Sequence, residues 1–293
     1  MVHLTVLGSG SSGNCAVVST GETTLLLDAG LSAKQICVRL EAVGMSAEQL
    51  DGILLTHEHQ DHTRGLEVFF KNRSLPLLCT ALTREVLAKE IPFRNAPSWK
   101  VMQTGCAFEF RDLKIECFPV PHDAVDPVGY VIADEDARLG FLSDVGHVTN
   151  LIRDRLAGAD SLFVEANYDA KLLEADTKRP WAIKQRISSR HGHLSNQQTA
   201  ELLEELAHPM LHHVVLGHLS DDCNDPDLAV RHMREVLDKK GLTQTMVRCA
   251  GRREVTPTVE CARRHQEPKR FGLAEEGMAV QLGLFDGLRV GEG

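Results

Sequence analysis

Thr56-His57-Glu58-His59-Gln60-Asp61-His62 follows directly on the apolar run Ile53-Leu54-Leu55. Residues 57–62 set three histidines and an aspartate at the point where a buried strand ends. Neutral imidazole nitrogens and a carboxylate form a donor set that Zn, Mn or Fe accepts. His57 and His59 can point to one ion, while Asp61 and His62 reach a second as the chain turns into a helix. A solvated histidine-rich turn is the rival reading. It leaves unexplained why the run stands at a strand end.

Around this stretch, short apolar strands alternate with helical patterns. Short apolar runs predict strands at 3–7, 15–19, 23–28, 52–56, 76–79, 128–134, 138–143, 161–165, 213–217 and 244–249, with two more inside 106–120 around Arg111-Asp112. Period-3.6 runs predict helices at 32–43, 63–71, 82–90, 148–157, 196–207 and 226–239. Residues 166–192 read as less regular. Interleaved helices and strands, some joined as hairpins, predict mixed sheets covered by helices. No internal repeat is evident. Near Cys261 the chain turns polar and basic, then Gly-punctuated, which reads as linker and tail.

With 293 residues, 43% of them hydrophobic, the chain can form one large α/β domain with additions, or two small ones. No apolar run approaches the ~20 residues of a membrane span. A strand pattern begins at His3, so no leader peptide is expected. The eight cysteines are scattered, as reduced thiols in a cytoplasmic protein would be. A net charge of -9 disfavours a protein that coats nucleic acid. It leaves room for a nucleic-acid enzyme, because bound metal ions add local positive charge.

More candidate ligands stand at strand ends: His122 after Pro119-Val120-Pro121, Asp144 after Leu139-Gly140-Phe141-Leu142-Ser143, and His218 after Val214-Val215-Leu216-Gly217. Each alone reads more readily as structural. Together with 57–62 they supply seven ligands, the inventory for two metals sharing a carboxylate.

This order of motifs resembles the metallo-β-lactamase fold superfamily over residues 1 to about 255. The resemblance implies an αββα sandwich of two mixed β-sheets flanked by helices, with the site at the loop edge between the sheets. It puts His57, His59 and His122 on one metal, and Asp61, His62 and His218 on the other, with Asp144 bridging. Asp28, in Leu25-Leu26-Leu27-Asp28-Ala29-Gly30, matches an acid that orients a ligand histidine from behind.

Three further stretches narrow the resemblance to the YycJ/WalJ group of bacterial nucleases: Gly8-Ser9-Gly10-Ser11-Ser12-Gly13-Asn14-Cys15, residues 189–196 and residues 217–224. Amides of such a Gly/Ser loop can hold phosphate, although the loop lacks the Gly-Lys-Ser/Thr ending of a Walker A site. In related ribonuclease Z enzymes the histidine corresponding to His193 sits beside the scissile phosphate. The resemblance therefore gives His193 a role at the phosphate or leaving group. Its place before a helix capped by Ser195 suits an anion, and a purely structural hydrogen bond is the alternative.

Two metal ions activate water for in-line attack on phosphorus. Asp61 is placed to orient the nucleophile or take its proton. The same ions serve ester or thioester hydrolases, so the substrate depends on the surroundings. Residues 177–191 contain no acid and carry Lys178, Arg179, Lys184, Arg186 and Arg190, with Trp181 among them. Such a run can track a nucleic-acid backbone while the aromatic stacks on a base; a solvated basic helix face is the alternative.

Beyond a basic linker at 256–279, the segment 280–286 carries Gln281-Leu282-Gly283-Leu284-Phe285. It resembles the bacterial sliding-clamp-binding motif through Gln281, Leu282, Leu284 and Phe285, with Gly283 where Ser or Asp is more usual. Packing on its own domain is the alternative, and clamp binding would raise the enzyme's effective concentration on DNA. The expectation is a cytoplasmic, two-metal phosphodiesterase acting on DNA in mismatch or replication-linked repair. Its 5′-to-3′ exonuclease direction comes from the resemblance alone. The alternatives are a small-molecule or cyclic phosphodiesterase, a general ester or thioester metallohydrolase, and a non-catalytic adaptor.

Overall fold

Apolar residues of the strands alternate between two destinations, and that alternation builds the layers. In β1 (Val2–Gly8), β2 (Cys15–Ser19) and β3 (Thr24–Leu27), one set including Leu4, Val18 and Leu25 faces a second sheet. The other set, including Leu7, Val17 and Leu26, faces helices. Successive strand residues point to opposite faces, so strands apolar on both faces must be covered on both. The computed structural model describes residues 1–261.

The first sheet continues through β4 (Gly52–Leu54), β5 (Pro76–Thr80) and β6 (Ser98–Met102). Its outer face is covered by α1 (Ala33–Glu41), α3 (Leu66–Phe70), which follows the short α2 (Gln60–Thr63), and α4 (Ala81–Glu90). Ile36, Leu40, Phe69, Phe70 and Leu87 fill that layer. The second sheet contains β7 (Ala107–Phe110), β8 (Leu113–Pro119), β9 (Val128–Ala133), β10 (Arg138–Leu142), β11 (Ser161–Glu165), β12 (His213–Gly217) and β13 (Met246–Cys249).

On the second sheet, α5 (Asn150–Leu156) precedes two short helices, α6 (Ala170–Ala175) and α7 (Trp181–Ile187). Then come α8 (Asn196–Leu206) and α9 (Pro226–Lys239). Ile152, Leu203, Met233 and Leu237 pack the layer beneath α5, α8 and α9. Helix, sheet, sheet and helix thus enclose three apolar layers, the αββα sandwich.

The two sheets repeat one pattern. The first runs β14-β1-β2-β3-β4-β5-β6, where β14 is Val259–Cys261, and the second runs β7-β8-β9-β10-β11-β12-β13. In each, the first three pairings are antiparallel and the last three parallel. The switch falls at β3 in one sheet and β10 in the other.

Several local expectations need correction. The helix expected at 63–71 starts at Gln60 and breaks at Arg64-Gly65. There Gly65 runs against the carbonyls of Ala29 and Leu31, where no side chain fits. Residues 166–192, expected to be less regular, hold α6 and α7. The strand β14 pairs with β1 beyond residue 255, inside the span read as linker, because three residues are too few to show a period. The rest of that span, and Gln281, Leu282, Leu284 and Phe285, lie outside the described residues. Among the described residues no helix is long and apolar enough to cross a membrane.

Candidate metal centre

Both sheets deliver their functional side chains from strand ends. Asp28 follows β3, His57 lies just past β4, Asp144 follows β10, Glu165 ends β11 and His218 follows β12. Four described non-glycine residues have positive φ, and three are in this group: Asp28 (57°), Asp144 (49°) and His218 (53°). That backbone is uncommon for residues with a Cβ and clusters at functional sites. Here it turns each side chain sharply out of its strand.

His57, His59 and His122 form a first cluster. Nδ1 of His59 lies 3.1 Å from Nε2 of His57 and 3.3 Å from Nε2 of His122. Nδ1 of His122 is 3.0 Å from the Gly192 carbonyl; donating there leaves the Nε2 lone pair facing the cluster. Burial holds the pKa of His57 well below the usual histidine value and that of His122 below it. Both are therefore in the neutral, ligating form.

Asp61, His62, Asp144 and His218 form the second cluster. Nδ1 of His62 is 2.8 Å from Oδ2 of Asp28, a carboxylate that also accepts from the Thr56 amide and hydroxyl. Nε2 of His62 then faces Asp144 Oδ2 at 2.5 Å. Nε2 of His218 lies 3.3 Å from Asp61 Oδ2 and 3.3 Å from Asp144 Oδ1. Burial works to lower the pKa values of His62 and His218, but the surrounding carboxylates win. They push His62 well up and His218 to about 10. A cation bound there takes the place of those protons, so its binding is pH-dependent.

Asp144 joins the clusters, with Oδ2 also 3.5 Å from Nε2 of His57. Its Oδ1 is buried and accepts no hydrogen bond. A buried carboxylate oxygen without a donor is costly unless a charge compensates it. Converging imidazole nitrogens, which would otherwise face one another, make the same demand. The donor set fits two divalent metal ions, and the structure brings together all seven residues expected to ligate them.

A residue that sequence reasoning missed is Glu165. Fully buried, it lies 2.5 Å through Oε1 from Nδ1 of His193, and its other oxygen accepts from the amides of Val145 and Leu194. His193 stacks on His218 with ring centroids 5.0 Å apart. Although burial opposes it, the Glu165 carboxylate raises the pKa of His193. The available signal was position, because Glu165 ends the strand between those leading to Asp144 and His218. Asn167 was also missed; its side chain donates to the His218 carbonyl at 2.8 Å.

A cavity of about 240 Å³ opens over these ligands, with Ser11 at its rim and Ile183, Arg186 and Ile187 of α7 along one wall. No residue of α7 is buried, and Trp181 is 68% exposed. The acids absent from this basic stretch arrive from elsewhere. Lys178 and Arg179 pair with Asp222 at 2.5 and 3.1 Å, and Lys184 reaches the Glu174 carbonyl. Arg190 turns to His147. Of the five cations in the stretch, Arg186 alone lines the cavity, held by Asp123 at 2.6 Å.

Fold and site together define a metal-dependent hydrolase, and the chain belongs to the β-lactamase superfamily: residues 23–218 match the Beta-lactamase superfamily domain. Closer relatives are known by their activity. The chain is 34% identical over 242 residues to the exodeoxyribonuclease YycJ of Bacillus anthracis, covering 82% of this chain and 90% of that protein. It is 36% identical over 233 residues to the exodeoxyribonuclease WalJ of Streptococcus pneumoniae, covering 79% and 86%. Among solved structures, the metallo-β-lactamase fold protein YhfI from Bacillus subtilis shares the fold with a TM-score of 0.67. That likeness extends over 87% of this chain and 98% of YhfI at 18% identity.

Proposed function

We propose that the chain is a metal-dependent exodeoxyribonuclease. The observation that carries this reading is the 34–36% identity, over about four fifths of the chain, to two exodeoxyribonucleases, in a chain that retains a complete two-metal donor set. Bound divalent ions supply Lewis acidity toward a phosphoryl oxygen and lower the pKa of water. Asp61, at the cavity with 24% of its side chain exposed, orients the attacking water and takes its proton. His193, whose pKa the Glu165 carboxylate raises, gives a proton to the departing oxygen. Arg186 meets a phosphate oxygen at the cavity wall, and the exposed ring of Trp181 stacks on a base further out.

The same reading includes 5′-to-3′ polarity, a cytoplasmic setting in repair, and tethering to the sliding clamp through Gln281, Leu282, Leu284 and Phe285. The tether rests on the sequence motif alone. Single- and double-stranded DNA, labelled at either end and incubated with the protein plus Mn or Zn, tests the proposal. Stepwise release of nucleotides from the 5′ end is expected. Intact DNA alongside turnover of bis-p-nitrophenyl phosphate or a cyclic nucleotide would make the chain a small-molecule phosphodiesterase instead.

A further inference from the structure

The loop Gly8–Cys15 invites reading as a phosphate cradle, but four of its amides are already used within the protein. Ser9 N donates to the Gly251 carbonyl, Gly10 N to Oδ1 of Asn14, Gly13 N to the Gly10 carbonyl, and Asn14 N to the Asp61 carbonyl at 2.7 Å. The chain is turned inward, toward the ligands of the second cluster.

Asn14, 6% exposed, is the centre of that arrangement. Its Oδ1 accepts from Gly10 N at 2.8 Å and from Ser9 Oγ at 3.1 Å. This occupies both lone pairs and fixes the amide's orientation, so Nδ2 faces the site. Nδ2 lies 3.4 Å from Asp61 Oδ2 and 3.1 Å from His62 Nε2. With that ring nitrogen committed to a metal ion, the donor is left for Asp61. Ser9 Oγ in turn accepts the His218 amide at 2.8 Å. One short turn therefore touches Asp61, His62 and His218.

The backbone enforces this contact. Gly30 N donates to the Asn14 carbonyl, and a side chain at Gly30 would collide with the Asp61 carbonyl. Among the second-cluster ligands, Asp61 has the greatest need of such support. Its side chain is 24% exposed, whereas those of His62, Asp144 and His218 are at most 3% exposed.

We infer that the Ser9–Asn14 turn is a positioning element for the second metal ion, in which the Asn14 amide aims the Asp61 carboxylate and Ser9 ties the turn to His218. The inference rests on the reading that the two clusters each hold a metal ion. Asn14→Asp tests it: the change is nearly isosteric, keeps an oxygen for Ser9 and Gly10, and replaces the donor with a charge opposing Asp61.

Calorimetric titration of the metal-free protein with zinc measures both equivalents, and a His218→Ala chain identifies which one belongs to the second cluster. Asn14→Asp is expected to weaken that equivalent roughly 10–100-fold, the usual effect of removing a partner that orients a ligand. The other equivalent stays within twofold, the unfolding temperature of the metal-free protein is unchanged, and kcat falls while KM for DNA holds. Ser9→Ala is expected to weaken the same equivalent several-fold. Native affinity for both equivalents in both variants would overturn the inference, as would equal weakening of the two. A native chain that takes up fewer than two equivalents overturns the two-metal reading, and this inference with it.

Discussion

The two sheets have the same order of pairings, and each places an aspartate just past the strand where antiparallel pairing gives way to parallel. Asp28 and Asp144 both adopt the left-handed backbone there, at 57° and 49°. Their surroundings separate them. The Asp28 carboxylate is surrounded by donors from Thr56 and His62 and acts as a support behind a ligand. Asp144 meets His57, His62 and His218 and keeps one oxygen without a donor, so it is the carboxylate that would hold bound ions. One backbone device thus serves two roles, and the neighbouring hydrogen-bond donors decide which.

The sharpest way to break this comparison is to remove each carboxylate. Asp144→Ala deletes the group shared by both clusters and should cost several kcal/mol of transition-state stabilisation, about 10³-fold or more in kcat. Asp28→Ala should cost only about 10–100-fold. Equal losses in steady-state assays would erase the distinction. Next in size is Glu165→Gln, expected to lower kcat about 10²-fold. His193 must be protonated to act as an acid, and Glu165 raises its pKa. The variant's alkaline limb should therefore move to lower pH; a pH–rate profile with an unmoved limb would remove His193 from that role. The smallest effect separates two cations of one segment. Arg186→Ala should raise KM for DNA several-fold and reduce the salt slope of binding by about one. Both charges are paired, Arg186 with Asp123 and Lys178 with Asp222, but Lys178 does not line the cavity, so Lys178→Ala should change neither.

What the sequence disclosed follows the range of the interactions. Residues 57–62 lie together in the chain and could be read directly. Strand positions could be read because apolar residues gather in short continuous runs. His122, Asp144 and His218 became interpretable only as members of an ordered set, since each stands alone at its own strand end. Glu165 escaped because a glutamate closing an apolar strand has no local signature; its meaning comes from β10 and β12 on either side. The partners of Lys178 and Arg186 were hidden for the same reason: Asp222 and Asp123 lie 44 and 63 residues away. The likeness of the two sheets leaves no repeat in the residues, because topology constrains pairing order and leaves side-chain identity open.

The left-handed conformations at Asp28, Asp144 and His218 carry one more consequence. Strained backbone of this kind costs about 1–3 kcal/mol per residue, and glycine would relieve it at all three positions. Selection for heat resistance and selection for turnover therefore pull these positions in opposite directions. A lineage chosen only for durability would drift toward glycine at 28, 144 and 218, and would arrive at a sturdier sandwich with no catalyst in it.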